Sequence, residues 1–174
     1  MKQNDEMPIN DGLIYSGIDY KSIDHIAIAV IDIEKAISFY SSILGFKVLR
    51  RLKIEGKTTG MLSAELEHNA IKFVLVEGTE PESQVSRLIK NYGPGIAHIA
   101  LEVECVESTV AQLIDRGLSF DTNVIKGSGL IQAFSSRDPN SGMSFELIQR
   151  TGEEGFLPEN IQQLFDQLEA SEAF

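Results

Sequence analysis

Cysteine occurs once in the 174 residues, at Cys105, so the chain can form neither an internal disulfide nor a thiolate metal cluster. Long apolar runs are also missing. The longest stretches, such as IAIAVI at 26–31, are far too short to cross a bilayer. The opening residues MKQNDEMPINDG lack the apolar core of a signal peptide, so a cytoplasmic location is the expectation. Positive charge is scarce: 15 Lys and Arg stand against 26 Asp and Glu, a net charge of −11. Residues 151–174 alone carry six acids and no Lys or Arg. A field of that sign disfavours nucleic acid and anionic membranes as partners. An anionic small substrate stays open, because a buried cation reverses the potential locally. Histidine is the last scarcity, three residues in all, and two of them occupy matching places.

What the chain does have is ordinary globular composition, 43% apolar and 24% charged, enough for one domain or two small modules sharing a core. Residues 1–21 lack periodicity and read as an N-terminal arm. From 22 the pattern runs strand 22–30, then a helix whose apolar positions Ile33, Ala36, Ile37, Tyr40, Ile43 and Leu44 recur at helical spacing up to Gly45. Strands follow at about 46–54, 60–67 and 71–77, then a short helix in PESQVSRLIKNYGPG. The pattern then restarts with a strand at 96–103, a helix at about 106–116, and strands near 119–125, 129–136 and 143–149. A terminal helix begins at Pro158. This is β-α-β-β-β written twice, an α+β chain with modules 22–78 and 95–150. SIDHIAIAV at 22–30 is answered by GIAHIALEV at 95–103, with His25 on His98 and Ala27 on Ala100 at an offset of 73. IKFVLVEG at 71–78 is answered by MSFELIQR at 143–150, which places Val74 on Glu146.

Strand alternation sets which residues share a face. His25, Ala27 and Ala29 point one way, and His98, Ala100 and Glu102 do the same in the second copy. The small neighbours leave room for a cavity beside each histidine. Glu146 stands in an apolar strand, where a carboxylate is expensive unless paired or metal-bound. Two histidines and one carboxylate, with an apolar residue at the fourth symmetric position, have the composition of a facial triad that leaves positions open on a metal such as Fe(II). His68, in ELEHNAI, reads as an exposed turn residue.

DHIAIAV, AISFYSSILGF, HIALEV and FELIQR resemble the vicinal oxygen chelate superfamily over about 22–150. The resemblance implies two tandem βαβββ modules forming a half-open mixed β-barrel around a metal, with His25, His98 and Glu146 as ligands. A narrower resemblance is to the catalytic C-terminal half of the 4-hydroxyphenylpyruvate dioxygenase family, carried by ESQVSRLIKNYGPGIAHIAL, GLIQAFSS and FELIQRTGEEGFLPENIQQLFDQLE. That family also has a non-ligand where Val74 stands. The likeness implies a divalent metal, Fe(II) first. It also implies a 2-oxo acid and O2 as reactants, and a lid helix within 151–174. It places Ser63, Gln84, Gln132, Phe134, Phe156 and Asn160 in the substrate pocket. Three positions depart from it: Val76 replaces Asn, Ala97 replaces Gln, and Ile161 replaces a second Phe near the gate. The substrate should therefore differ from 4-hydroxyphenylpyruvate. Such families commonly form homodimers.

Two alternatives stand beside this reading. One is a divalent-metal isomerase or lyase resembling methylmalonyl-CoA epimerase or glyoxalase. It would act on an acyl-CoA or thioester with Glu55 or Glu65 as base, although both acids read as solvated. The other is a small-molecule binding protein without chemistry.

Overall fold

The computed structural model describes residues 17–127, 129–152 and 162. Among the described residues, eight strands form one mixed sheet curled into a half-barrel, with the α-helices Ile33–Ser38, Gln84–Tyr92 and Val106–Asp115 on it. The first module contributes β1 (Tyr20–Ala29), α1 (Ile33–Ser38), β2 (Lys47–Glu55), β3 (Gly60–His68) and β4 (Ile71–Gly78). After α2 (Gln84–Tyr92) the second contributes β5 (Gly95–Val103), α3 (Val106–Asp115), β6 (Ile125–Gly127), β7 (Leu130–Phe134) and β8 (Phe145–Arg150). The sheet order is β2-β3-β4-β1-β5-β8-β7-β6.

The repeat is exact in register. β1 pairs parallel with β4 through Ile26–Phe73 and Ala27–Val74, and β5 pairs parallel with β8 through Ile99–Phe145 and Ala100–Glu146. The two modules join where β1 meets β5 antiparallel. There Ile26 pairs with its own counterpart Ile99, flanked by His25–Ala100 and Ala27–His98. A local twofold axis therefore runs between Ile26 and Ile99 and brings the two histidines to one place.

Burial follows the alternation. Ile28, Val30, Leu66 and Leu75 pack under α1, and Val103, Ala133 and Leu147 pack under α3, on the outer face of the sheet. The inner face is lined differently from the sequence expectation. Ala27 and Ala29 leave no cavity, because Leu88 of α2 packs onto them together with Val76 and Ala97. Ala100 is covered by Leu130 and Ile148. A cavity opens on the side of His25 that faces Asp24 and Arg150.

Two elements depart from the sequence reading. The first helix changes at Phe39 into a π-helical turn, Phe39–Ile43, in which Tyr40 packs edge-on to Phe73 at 5.4 Å and Ser41 Oγ donates to the Ile37 carbonyl at 2.7 Å. The strand expected at 119–125 is a loop with a single bridge, Phe120–Ser135. The reason is local. Thr122 Oγ1 accepts the Phe134 backbone N–H at 2.9 Å, taking the donor a neighbouring strand would have used, and pairing resumes only at β6. The N-terminal residues 1–16 and, apart from the helical Gln162, the terminal helix expected from Pro158 lie outside the described residues. No described helix is long and apolar enough to cross a membrane.

Candidate metal centre

His25, His98 and Glu146 converge on the inner face, their ligand atoms all within 4.8 Å of one another. Glu146 Oε2 lies 3.3 Å from His25 Nε2 and 3.4 Å from His98 Nε2. The two imidazoles stand edge to face, 5.5 Å between centroids. Glu146 and His25 are buried, and His98 is 20% exposed, so it marks the open side. Val74, the repeat partner of Glu146, lies on β4, with β1 and β5 between it and β8, beside Ala27, and offers no ligand atom.

The chain prepares the two histidines unequally. β1 and β5 each carry a bulge just before their histidine: the register skips Asp24 between Ile23 and His25, and skips Ala97 between Ile96 and His98. A bulge re-aims a side chain that alternation would send to the other face. In β1 it turns Asp24 inward, so that Asp24 Oδ1 accepts the His25 Nδ1–H at 2.9 Å. Arg150, at the end of β8, grips both oxygens of Asp24 at 2.6 and 2.8 Å. This Arg–Asp–His chain presents Nε2 of His25 to Glu146, the outer support that metal-binding histidines generally have. In β5 the equivalent residue is Ala97, which has no side-chain acceptor. His98 is held instead by the ring of Phe134, edge-on at 5.1 Å.

The electrostatics follow this asymmetry. Burial pulls the His25 pKa down, but hydrogen bonds to Asp24 and Glu146 outweigh it and raise the value to about 9. Burial pushes His98 below the ordinary histidine value against the opposing pull of Glu146. Burial would raise the Glu146 pKa, yet its two histidine partners hold it below the usual carboxylate range. Glu146 Oε1 is buried and accepts no hydrogen bond from the described residues. A buried carboxylate with one idle oxygen, the other shared by two imidazole nitrogens, is costly. A divalent cation between the three would give the carboxylate and both imidazole nitrogens a common partner, so the residues fit such an ion.

The remaining expected residues divide. Gln132 and Phe134 are buried on the face of Glu146, as β7–β8 pairing of Phe134 with Glu146 requires, and Gln132 Oε1 accepts no hydrogen bond among the described residues. Ser63 is buried on β3 between Leu52 and Val76, and Gln84 is buried at the first position of α2. Phe156, Asn160 and Ile161 lie outside the described residues. A cavity of about 310 Å³ opens beside His25, lined among others by Asp24, Arg50, Glu65, Val74 and Arg150. Among the described residues, none of the expected pocket positions Ser63, Gln84, Gln132 and Phe134 borders it. Glu65, read as solvated in sequence, faces this cavity with its side chain 14% exposed, whereas Glu55 points to solvent and pairs with Lys53 at 2.6 Å. Asp24 and Arg150 escaped the sequence reading. An acid next to His25 was a visible signal for the first, but nothing local marks an arginine 126 residues away.

The sequence matches the Glyoxalase/Bleomycin resistance protein/Dioxygenase superfamily over residues 22–147. The chain belongs to this superfamily. It is 29% identical over 185 aligned positions to 4-hydroxyphenylpyruvate dioxygenase of Legionella pneumophila (strain Corby), covering 85% of this chain and 53% of that protein. Among solved structures, a variant 4-hydroxymandelate synthase from Streptomyces coelicolor superposes with TM-score 0.76 at 22% identity, over 86% of this chain and 54% of that one, a likeness of fold. A Streptomyces coelicolor methylmalonyl-CoA epimerase variant in complex with 2-nitronate-propionyl-CoA superposes with TM-score 0.66 at 26% identity, over 77% of this chain and all of that one. The chain thus spans about half the length of the dioxygenase it matches. The superfamily's members are mostly metal-dependent enzymes acting on small molecules, and the His25, His98 and Glu146 cluster is where this member could hold its ion.

Proposed function

We propose that the chain is a non-haem iron dioxygenase of the 4-hydroxyphenylpyruvate dioxygenase type with an altered substrate, and that His25, His98 and Glu146 are its metal ligands. The observation that carries this reading is Val74 at the position symmetric to Glu146. Three ligands on one side of an ion leave the opposite side for substrate, the arrangement of the two-histidine, one-carboxylate oxygenases. Bound there, Fe(II) would supply open positions for the carboxylate and keto oxygens of a 2-oxo acid and for dioxygen.

The protein's own share is positioning and exclusion of water. Asp24 and Arg150 fix His25, Phe134 walls the site beside His98, and the idle amide oxygen of Gln132 is an acceptor for the substrate. An altered substrate is supported by Val76 and Ala97. Where the resembled family has amides, both are buried in apolar contact with Leu88 and hold no polar group toward a ligand.

The test is anaerobic loading with Fe(II), addition of aryl and alkyl 2-oxo acids singly, and observation of the visible charge-transfer band of the chelate. A band abolished by His98→Ala, followed by oxygen uptake when air is admitted, is the expected result. Tight iron binding with no band and no uptake across the panel overturns it.

A second reading draws on the match over the epimerase's full length and on Glu65, which lines the cavity that His25 also borders. It predicts solvent deuterium in a 2-methyl acyl-CoA, lost in Glu65→Gln.

A further inference from the structure

We propose that Arg137 is a positioning residue of the metal centre, a clamp that fixes His98 against Glu146 by holding the backbone beside each. The two histidines both follow a bulge, and the two bulges are anchored by different means. In β1 the residue that the register skips, Asp24, is gripped through its side chain by Arg150. In β5 the skipped residue is Ala97, and there an arginine takes the backbone instead: Arg137 Nη2 donates to the Ala97 carbonyl at 2.8 Å. Ala97 is buried, and a buried carbonyl that a bulge turns out of the ladder needs such a donor.

The other arm of the same guanidinium reaches the strand of the carboxylate. Arg137 Nη1 donates to the Gly142 carbonyl, four residues before Glu146. That acceptor is held by its own turn. The Asp138 carbonyl accepts the Gly142 N–H at 2.8 Å, and Asp138 Oδ2 accepts the Ser141 N–H at 2.7 Å. Gly142 has φ +69°, a conformation open to glycine without strain. From there the chain enters β8, and the Ser144 carbonyl accepts the Ile99 N–H at 3.2 Å. The β5–β8 register begins at Ile99, one residue past His98, so the ladder stops short of the histidine it should align with Glu146. Arg137 closes that gap from outside the ladder. Its guanidinium also lies over the Tyr92 ring at the end of α2, 5.4 Å from the centroid. One planar fork therefore ties three segments, and its fixed geometry sets the spacing between the two that carry His98 and Glu146.

The inference rests on His25, His98 and Glu146 as metal ligands and on no particular reaction. Cobalt(II) is titrated into the native protein and into Arg137→Met, which keeps an apolar stem over Tyr92 and removes both donors. Affinity should fall about tenfold, the lower end of what partners behind metal ligands contribute, and the visible d–d bands should shift with the altered ligand spacing. Arg137→Lys, a point charge without the fork, should fall between the two, and it carries the comparison if the methionine variant does not fold. Leu113→Ala, packed under α3 away from both carbonyls, shows what lost stability does alone and should keep the native affinity and bands. Native affinity and bands in Arg137→Met, native behaviour in Arg137→Lys, or the same change in Leu113→Ala overturns the clamp. If the native protein binds no cobalt, the ligand assignment fails, and the clamp is decided on metal-free protein by NMR. The NOE between the His98 and Phe134 rings, 5.1 Å apart, should weaken in the Arg137 variant while that between Leu130 and Ile148 persists. Any other pattern overturns it.

Discussion

Asp24→Asn tests whether the support behind His25 matters to the metal. The substitution keeps the size and one acceptor oxygen but removes the charge that Arg150 grips and that holds the Nδ1 proton. Asp24 is 5% exposed, its oxygen is 2.9 Å from His25 Nδ1, and both its oxygens are engaged by Arg150. Loss of a partner behind a metal-binding histidine typically costs 10- to 100-fold in metal affinity, about 1.4–2.7 kcal/mol. Leaving the Arg150 guanidinium without its carboxylate would also destabilise the metal-free fold. A fully buried charge left alone costs about 3–5 kcal/mol, and Arg150, which is 20% exposed, should lose less than that. The assay is competition for Co(II) or Zn(II) against a chelator of known affinity, with chemical denaturation of the metal-free protein beside it. Arg150→Gln should reproduce the direction of both effects, since it breaks the same chain one step further out. A D24N variant with native metal affinity would refute the reasoning, and one that loses only stability would reduce Asp24 to a fold-stabilising role.

Further outcomes follow from the same geometry. Val74→Glu places a fourth donor opposite Glu146 across the local twofold axis; zinc affinity should rise and the 2-oxo acid band should be lost, read by titration and visible spectroscopy. Thr122→Val leaves the Phe134 backbone N–H without its acceptor inside the fold; denaturation should show a loss of about 1–3 kcal/mol, with a weaker upfield ring shift of the His98 protons by NMR. The pH dependence of the metal-free protein is set by His25. Its folded pKa of about 9 lies above the ordinary 6.5, so its contribution is fully present below about 6.5 and is lost as pH rises through 9. The depressed pKa of His98 acts below 6.5 instead. The melting temperature of metal-free protein should therefore fall between pH 6.5 and 9, and metal binding in that window should release a proton, measurable from buffer-dependent calorimetric heats.

How much of this was legible in advance depended on the range of the interaction. The duplication, the strand faces and the three candidate ligands were readable because they follow from strand alternation and from comparing one half of the chain with the other. His25 on His98 and Val74 on Glu146 needed no coordinates. The strand expected at 119–125 failed because the Thr122 hydroxyl competes for a backbone donor, and no periodicity records that. The inner face was misjudged beside Ala27 and Ala29. Small residues there signal close approach of α2 rather than empty space, and alternation cannot distinguish the two.

The sequence by itself determined that two similar halves exist and that each carries its histidine one residue before a paired isoleucine. Antiparallel pairing about Ile26 and Ile99 is enough to make such residues meet, since a twofold axis carries each onto the other. The tertiary structure alone decided what surrounds them. The bulges that turn Asp24 inward, the reach of Arg150 from the far end of β8, and the cavity before Glu65 arise between strands distant in the chain. They depend on register and curl, which are properties of the assembled sheet and of no single segment.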